Sequence, residues 1–191
     1  MNETDLAAPP EAVDVVVVGG GIVGSSTAWF LAKAGHSVAL CEKGRIAGEQ
    51  SGRNWGFVRQ QGRDPAEMPM IMESLRIWRG LEAEIGEKVG FATGGCLYLA
   101  RDQEELDDRA KWLPVAEQHQ LETRVLDSAG VDAILDGADG RWFGATYPPS
   151  DGRAEPAKAA PAIARAAARH GASVLTNCAV RGVETAAGKV S

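Results

Sequence analysis

Three glycines, Gly19, Gly21 and Gly24, stand at the spacing G-x-G-x-x-G directly after the apolar run Val15 to Val18. Each has a physical job at a phosphate: the first permits a tight turn after a strand, the second lets backbone approach a pyrophosphate, and the third lets helix pack on strand. The anion would rest on amide groups at the positive end of the helix dipole. Glu42 follows Gly24 by 18 positions. A carboxylate there accepts hydrogen bonds from an adenosine ribose and repels a 2′-phosphate. The chemistry on offer is dinucleotide binding.

Those residues need a strand, a helix and a second strand to hold them. Ile22 to Ala34 is proline-free and mixes small and large side chains, which predicts a helix, and Gly35 is placed to end it in a left-handed cap. Ser37 to Cys41 (SVALC) predicts the second strand, completing a βαβ unit. Lys43 to Asp64 then shows no clean period and is rich in glycine and polar residues, as functional loops are. Within it Ser51, Asn54 and Gly56 are candidates to offer hydroxyl, amide and bare backbone to a second portion of a phosphate-bearing cofactor.

Composition narrows the class. With 191 residues, 45% of them hydrophobic, the chain has enough for one domain and part of another. Lys and Arg total 20 against 26 Asp and Glu, a net charge of −6 without a basic block, which points away from nucleic acid and from anionic membrane surfaces. Cys41, Cys96 and Cys178 are few, odd in number and far apart, the pattern of reduced thiols in a cytoplasmic protein. His36, His119 and His170 stand alone, so no metal is implied. Residues 1–12 read as a mobile tail without the basic start and apolar core of a secretory signal. No apolar stretch approaches the ~20 residues that span a bilayer.

The remaining elements read as scaffold. Met68, Ile71, Met72, Leu75, Trp78, Leu81 and Ile85 recur at helical steps, predicting an amphipathic helix over 66–85 with Pro69 near its start. A strand at 96–100 precedes Asp102, a helix cap with Glu105 at the capping-box position; Pro114 is expected to kink or end that helix. A strand at 123–127, a short helix at 128–135 and a turn at 147–152 follow. An alanine-rich helix at 157–170, opened by Pro156, leads into strands at 173–175 and 178–183.

VVVVGGGIVGSSTAWFLAKAGHSVALCEK followed by SGRNWGFVRQQGRD, with GGCLYLA and YPPSDGRAEPAKAAPAIARAAARHGASVLTNCAV further on, resembles the amino-terminal part of the FAD-dependent amino-acid and amine oxidoreductases. That family holds D-amino acid dehydrogenases and oxidases, and glycine and sarcosine oxidases. The resemblance implies an α/β fold: a Rossmann-like FAD-binding βαβ domain over 13–65 and 151–191, with part of an α+β substrate domain over 66–150. It places Gly19, Gly21 and Gly24 at the FAD pyrophosphate and Glu42 at the ribose, with Lys43 beside them. Ser51, Asn54 and Gly56 match the loop that leads towards the flavin, and Val180 matches the place where backbone groups hold the adenine. Arg59 matches a basic position near flavin and substrate, and Tyr98 lies on a substrate-domain strand where it would face a pocket.

The implied reaction is oxidation of a carbon–nitrogen bond by hydride transfer to flavin N5, giving an imine that water hydrolyses. SGRNWGF holds no histidine or cysteine for a flavin bond, so non-covalent FAD is expected. Family members continue beyond this length, so the fold is expected to be truncated at the C-terminus, lacking groups that bind the substrate carboxylate. Two alternatives remain open: a non-catalytic nucleotide-binding fragment or subunit needing a partner chain, and, if the glycines are taken without residues 51–56, an NAD-dependent dehydrogenase.

Overall fold

The computed structural model describes residues 8–190. Of the tail expected over 1–12, residues 1–7 lie outside that range, and residues 8–12 are exposed and belong to no helix or strand. In chain order the elements begin β1 (Val15–Val18), α1 (Ile22–Lys33), β2 (Val38–Cys41), α2 (Gln50–Arg53), β3 (Phe57–Val58) and α3 (Met68–Ile85). They continue β4 (Ala92–Thr93), β5 (Tyr98–Ala100), α4 (Gln103–Ala110), α5 (Leu113–Gln118), β6 (Arg124–Asp127) and α6 (Ser128–Asp132). The last are β7 (Gly144–Tyr147), β8 (Gly152–Arg153), α7 (Pro156–Arg169), β9 (Ser173–Leu175), β10 (Thr185–Ala186) and β11 (Lys189–Val190). The described residues form two compact units, one from those up to 55 with 82–90 and those from 155 on, the other from 56–81 and 91–154.

The first unit is built on a parallel sheet of order β1-β2-β9. Val15 pairs with Val38 and Ala39 with Ser173, so β2 is central and all four of its residues are buried. A parallel crossover needs a helix, and α1 supplies it, packing against α7. Small residues predominate among those the two helices bury: Ser25, Ala28 and Ala32 beside Trp29 on α1, and seven residues of α7, six of them alanine. Gly35 ends α1 at φ +92°, with its N–H donating to Ala32 and the N–H of His36 to Leu31. This is the left-handed cap its position predicts.

One expected strand does not form. Residues 178–183 carry no ladder. Asn177 turns at φ +53°, and the N–H groups of Asn177 and Cys178 donate instead to the carbonyls of Gly44 and Glu42, both at 2.9 Å. Those bonds tie the chain to the segment following β2 but do not extend the sheet, and Val180 and Val183 are 39% and 67% exposed. Val180 is therefore neither in a strand nor in the core. The small antiparallel hairpin β10–β11 comes after it.

The second unit holds two antiparallel sheets, β3-β8-β4 and β5-β7-β6. Val131, Ala138 and Ala145 form one buried cluster with Leu97, Leu99, Leu126, Leu135 and Trp142; Met68, Trp112 and Ala116 form another. The helix expected from residue 66 begins as a 3-10 turn at Pro65–Glu67, capped by the Asp64 side chain, and becomes α3 at Met68. Pro114 does not kink α4, which ends at Ala110; it sits in the first turn of α5, where a missing N–H goes unnoticed. The short helix α6 stops at Asp132, three residues before its expected end, with Asp127 as its cap. The four-residue α2 lies inside the stretch expected to be loop.

Candidate nucleotide-binding site

An open cleft of about 490 Å3 lies at the carboxyl ends of β1 and β2, wholly within the first unit. In open parallel sheets ligands collect at that edge. Its walls include Gly19, Gly21, Glu42, Lys43, Ser51 and Val180. Six of the ten site residues expected from sequence thus meet in one place.

The turn that floors the cleft requires glycine most strictly at its two ends, Gly19 and Gly24. Gly19 has φ +103°, and its N–H donates to the Cys41 carbonyl at 2.8 Å, which ties the turn to β2. A Cβ on Gly24 would fall 1.9 Å from the Gly19 carbonyl oxygen, so the third glycine keeps α1 against the turn. A Cβ on Gly21 would stand 2.9 Å from Ser51 Oγ. Gly20, not among the expected site residues, is also crowded, though by side chains that can shift: its Cβ would meet Ile46 Cδ1 at 2.4 Å and the Glu42 side chain at 3.0 Å. The signal for it was the unbroken run of three glycines.

Glu42 is 8% exposed and directly follows β2. Its Oε2 accepts from the N–H of Gly20 and its Oε1 from the N–H of Gly44, each at 2.7 Å. A carboxylate has about four acceptor positions, so each oxygen keeps a lone pair for a ligand hydroxyl. Glu42 therefore orders the glycine turn as well as lining the cleft. Ser51 Oγ accepts from the N–H of Ile22 at 2.8 Å, serving as a remote cap for α1, whose own cap residue Gly21 has no side chain. The next amides, of Val23 and Gly24, have no acceptor within the helix, as in every helix first turn. Lys43 Nζ lies 3.5 Å from Glu49 Oε1 at the exposed rim. Ala47, another wall residue, takes φ +59° and donates to the Gly20 carbonyl at 2.9 Å.

The remaining expected residues stand elsewhere. Gly24 lies behind the turn. Asn54 caps the end of α2, its Nδ2 donating to the carbonyls of Gln50 and Ser51 at 3.2 and 3.0 Å. Gly56 and Arg59 belong to the second unit. There Arg59 Nη1 donates to the Gln61 carbonyl at 2.9 Å and to the Tyr98 hydroxyl at 3.0 Å, while that hydroxyl donates to the same carbonyl at 3.0 Å. Burial pushes the Tyr98 phenol up to about 12, against the opposing pull of Arg59. Its bond to Tyr98 raises Arg59 in turn, so the guanidinium is a permanent cation.

Asp151, missed from sequence, anchors this segment. It is fully buried, and its carboxylate accepts from the N–H of Gln60 at 2.9 Å and of Gln61 at 3.4 Å. Burial raises its pKa and the two amides oppose that rise. Its carbonyl also accepts from Gly94 and Gly95, at 3.3 and 2.8 Å. Among the described residues no group of three His, Cys, Asp or Glu side chains could hold a metal ion, and no helix is long and apolar enough to cross a membrane.

Comparison with known proteins finds relatives along nearly the whole chain. The human mitochondrial sarcosine dehydrogenase is 33% identical over 181 residues, covering 91% of this chain and 19% of that protein. The sarcosine oxidase beta subunit of an Arthrobacter species is 31% identical over 183 residues, covering 91% and 45%. Among solved structures, L-amino acid deaminase from Proteus myxofaciens superposes with a TM-score of 0.90 at 36% identity, over 97% of this chain and 42% of that one. The chain spans less than half the length of each of these relatives. The profile of the FAD dependent oxidoreductases matches residues 14–191, and the chain belongs to that family.

Proposed function

We propose that this chain supplies the adenosine-diphosphate-binding part of an enzyme that oxidises the carbon–nitrogen bond of an amino acid or secondary amine, with FAD held non-covalently. The observation that carries the reading is the cleft in which the Gly19–Gly24 turn, the amino end of α1 and Glu42 converge. Gly19, Gly21 and the α1 terminus hold the pyrophosphate, with Gly24 keeping that helix seated. Glu42 takes the ribose, Lys43 faces the rim, and backbone at Val180 borders the adenine. Ser51, Asn54 and Gly56 carry the chain from this cleft towards the flavin side, with Ser51 and Asn54 shaping α2 at its start. When bound, FAD supplies a two-electron acceptor for hydride transfer to flavin N5.

Arg59, a half-buried cation braced by Tyr98, suits a carboxylate or flavin oxygen. The second unit is then part of the substrate domain. Sarcosine and L-amino acids, named for the similar proteins, set the substrate class. A second reading rests on the length comparison: a relative that is itself a subunit, and coverage below half, support a nucleotide-binding piece whose active site another segment or subunit completes.

Equilibrium dialysis of the purified chain against FAD, ADP and NAD+ separates these readings. FAD and ADP are expected to compete for one site, and an E42A variant to weaken both. Binding of NAD+ with no binding of FAD would overturn the flavin reading. Anaerobic bleaching of bound flavin by sarcosine or an L-amino acid then tests the reaction; flavin that binds but is never bleached supports the subunit reading.

A further inference from the structure

Two of the three cysteines, far apart in sequence, both line the nucleotide cleft. Cys41 is the last residue of β2, and Cys178 opens the segment that replaces the expected strand; both line the cleft wall. The N–H of Cys178 donates to the carbonyl of Glu42, the neighbour of Cys41, at 2.9 Å, which brings the two cysteines to the same stretch of wall. Cys41 is buried and Cys178 half-buried, so a small oxidant reaches the second first. Cys96 lies in the other unit.

We propose that Cys41 and Cys178 are a redox-responsive thiol pair that closes to a disulfide under peroxide and fixes the adenine-side wall of the cleft. The coupling to nucleotide rests on the functional reading above; the pair itself does not. In the first step the Cys178 sulfur attacks hydrogen peroxide, giving a sulfenic acid and releasing water. In the second, the Cys41 sulfur attacks that sulfenic sulfur, its thiol proton leaves with the hydroxyl as a second water, and the sulfur–sulfur bond forms. Two thiols lose two hydrogens and two electrons while one peroxide becomes two waters.

The wall has reason to respond. Residues 178–181 lack strand partners, and the bonds of Asn177 and Cys178 to Gly44 and Glu42 tie them to the segment following β2. A covalent link at Cys178 orders this wall before ligand arrives, which lowers the ordering cost of binding. The buried thiol is held protonated, since burial and its neighbour both raise the Cys41 pKa. The pair therefore waits for oxidation at Cys178.

The test treats the chain with stoichiometric hydrogen peroxide and maps it by non-reducing peptide mass spectrometry, alongside ADP titrations of reduced and oxidised protein. A Cys41–Cys178 linked peptide is expected, two hydrogens lighter than the reduced pair and restored by dithiothreitol, with ADP bound roughly threefold tighter in the oxidised form. C178S should lose both effects, C96S should keep the link, and C41A provides a second route should C178S fold poorly. Free alkylation of Cys41 and Cys178 after oxidation, or a link that includes Cys96, would overturn the pair. A linked protein with unchanged ADP affinity would overturn its coupling to the cleft. Failure of the reduced chain to bind ADP would count against the functional reading, while leaving the mapped link standing.

Discussion

A methyl group on Gly24 would lie 1.9 Å from a backbone carbonyl, an atom that cannot swing aside as a side chain can. G24A must therefore push α1 away from the Gly19 turn, at a cost of about 1–3 kcal/mol, with loss of ADP affinity. G35A makes the contrast. Nothing lies within 4 Å of its Cβ, but φ is +92°, so it pays about 1–2 kcal/mol of backbone strain at a site remote from the cleft. Thermal denaturation should show both variants destabilised, whereas calorimetric titration should show weak ADP binding in G24A alone. Equal binding by the two would refute the packing role of the third glycine. Glu42 works on the same turn by hydrogen bonding. E42A strands the Gly20 and Gly44 amides, costing about 1–3 kcal/mol, whereas E42Q keeps one acceptor oxygen and should fall between E42A and wild type in melting temperature.

Helix α4 shows how an element start is built and how it responds to pH. Asp102 accepts from the N–H of Glu105 at 2.9 Å, but Glu105 reaches past the cap to the N–H of Arg101, also 2.9 Å, and to its guanidinium. Those Arg101 contacts pull the Glu105 pKa down to about 2. A folded-state value below the ordinary carboxylate value stabilises the fold above that ordinary value, and the stabilisation fades as pH falls through the folded one. E105Q should accordingly melt below wild type at neutral pH, with the gap narrowing between about pH 5 and about pH 3. A gap constant across that range would show that the pair contributes through packing alone. The capping signal at Asp102 was legible in sequence because its partner is three residues away. The βαβ unit was legible for the same reason: its apolar run, glycines, helix and acid follow one another along the chain. Helix α2 was not. Gln50–Arg53 has no apolar period, and Ser51 is held by an amide 29 residues away. Asp151 reaches Gln60 across 91 residues, and the strand predicted at 178–183 lacked a partner that no local pattern could reveal.

On the scale of the whole molecule, the chain leaves and re-enters the cleft-bearing unit, and every described wall residue of the cleft comes from that unit. Its ligand response should be equally partitioned. Hydrogen exchange with and without saturating ADP is expected to show protection in the turn at 19–24, the segment at 42–51 and the wall at 178–181. The β5-β7-β6 sheet should exchange at its own unchanged rate, because Val131, Ala138 and Ala145 pack its core without any contribution from the cleft. Amides report the opening free energy of the region that contains them, so a ligand that binds one unit slows that unit's exchange first. Global protection, with β5, β6 and β7 slowed as much as the glycine turn, would mean that the two units open as one and that the site cannot be assigned to the first alone. Protection of 42–51 without 178–181 would remove Val180 from the adenine side while leaving the pyrophosphate turn in place.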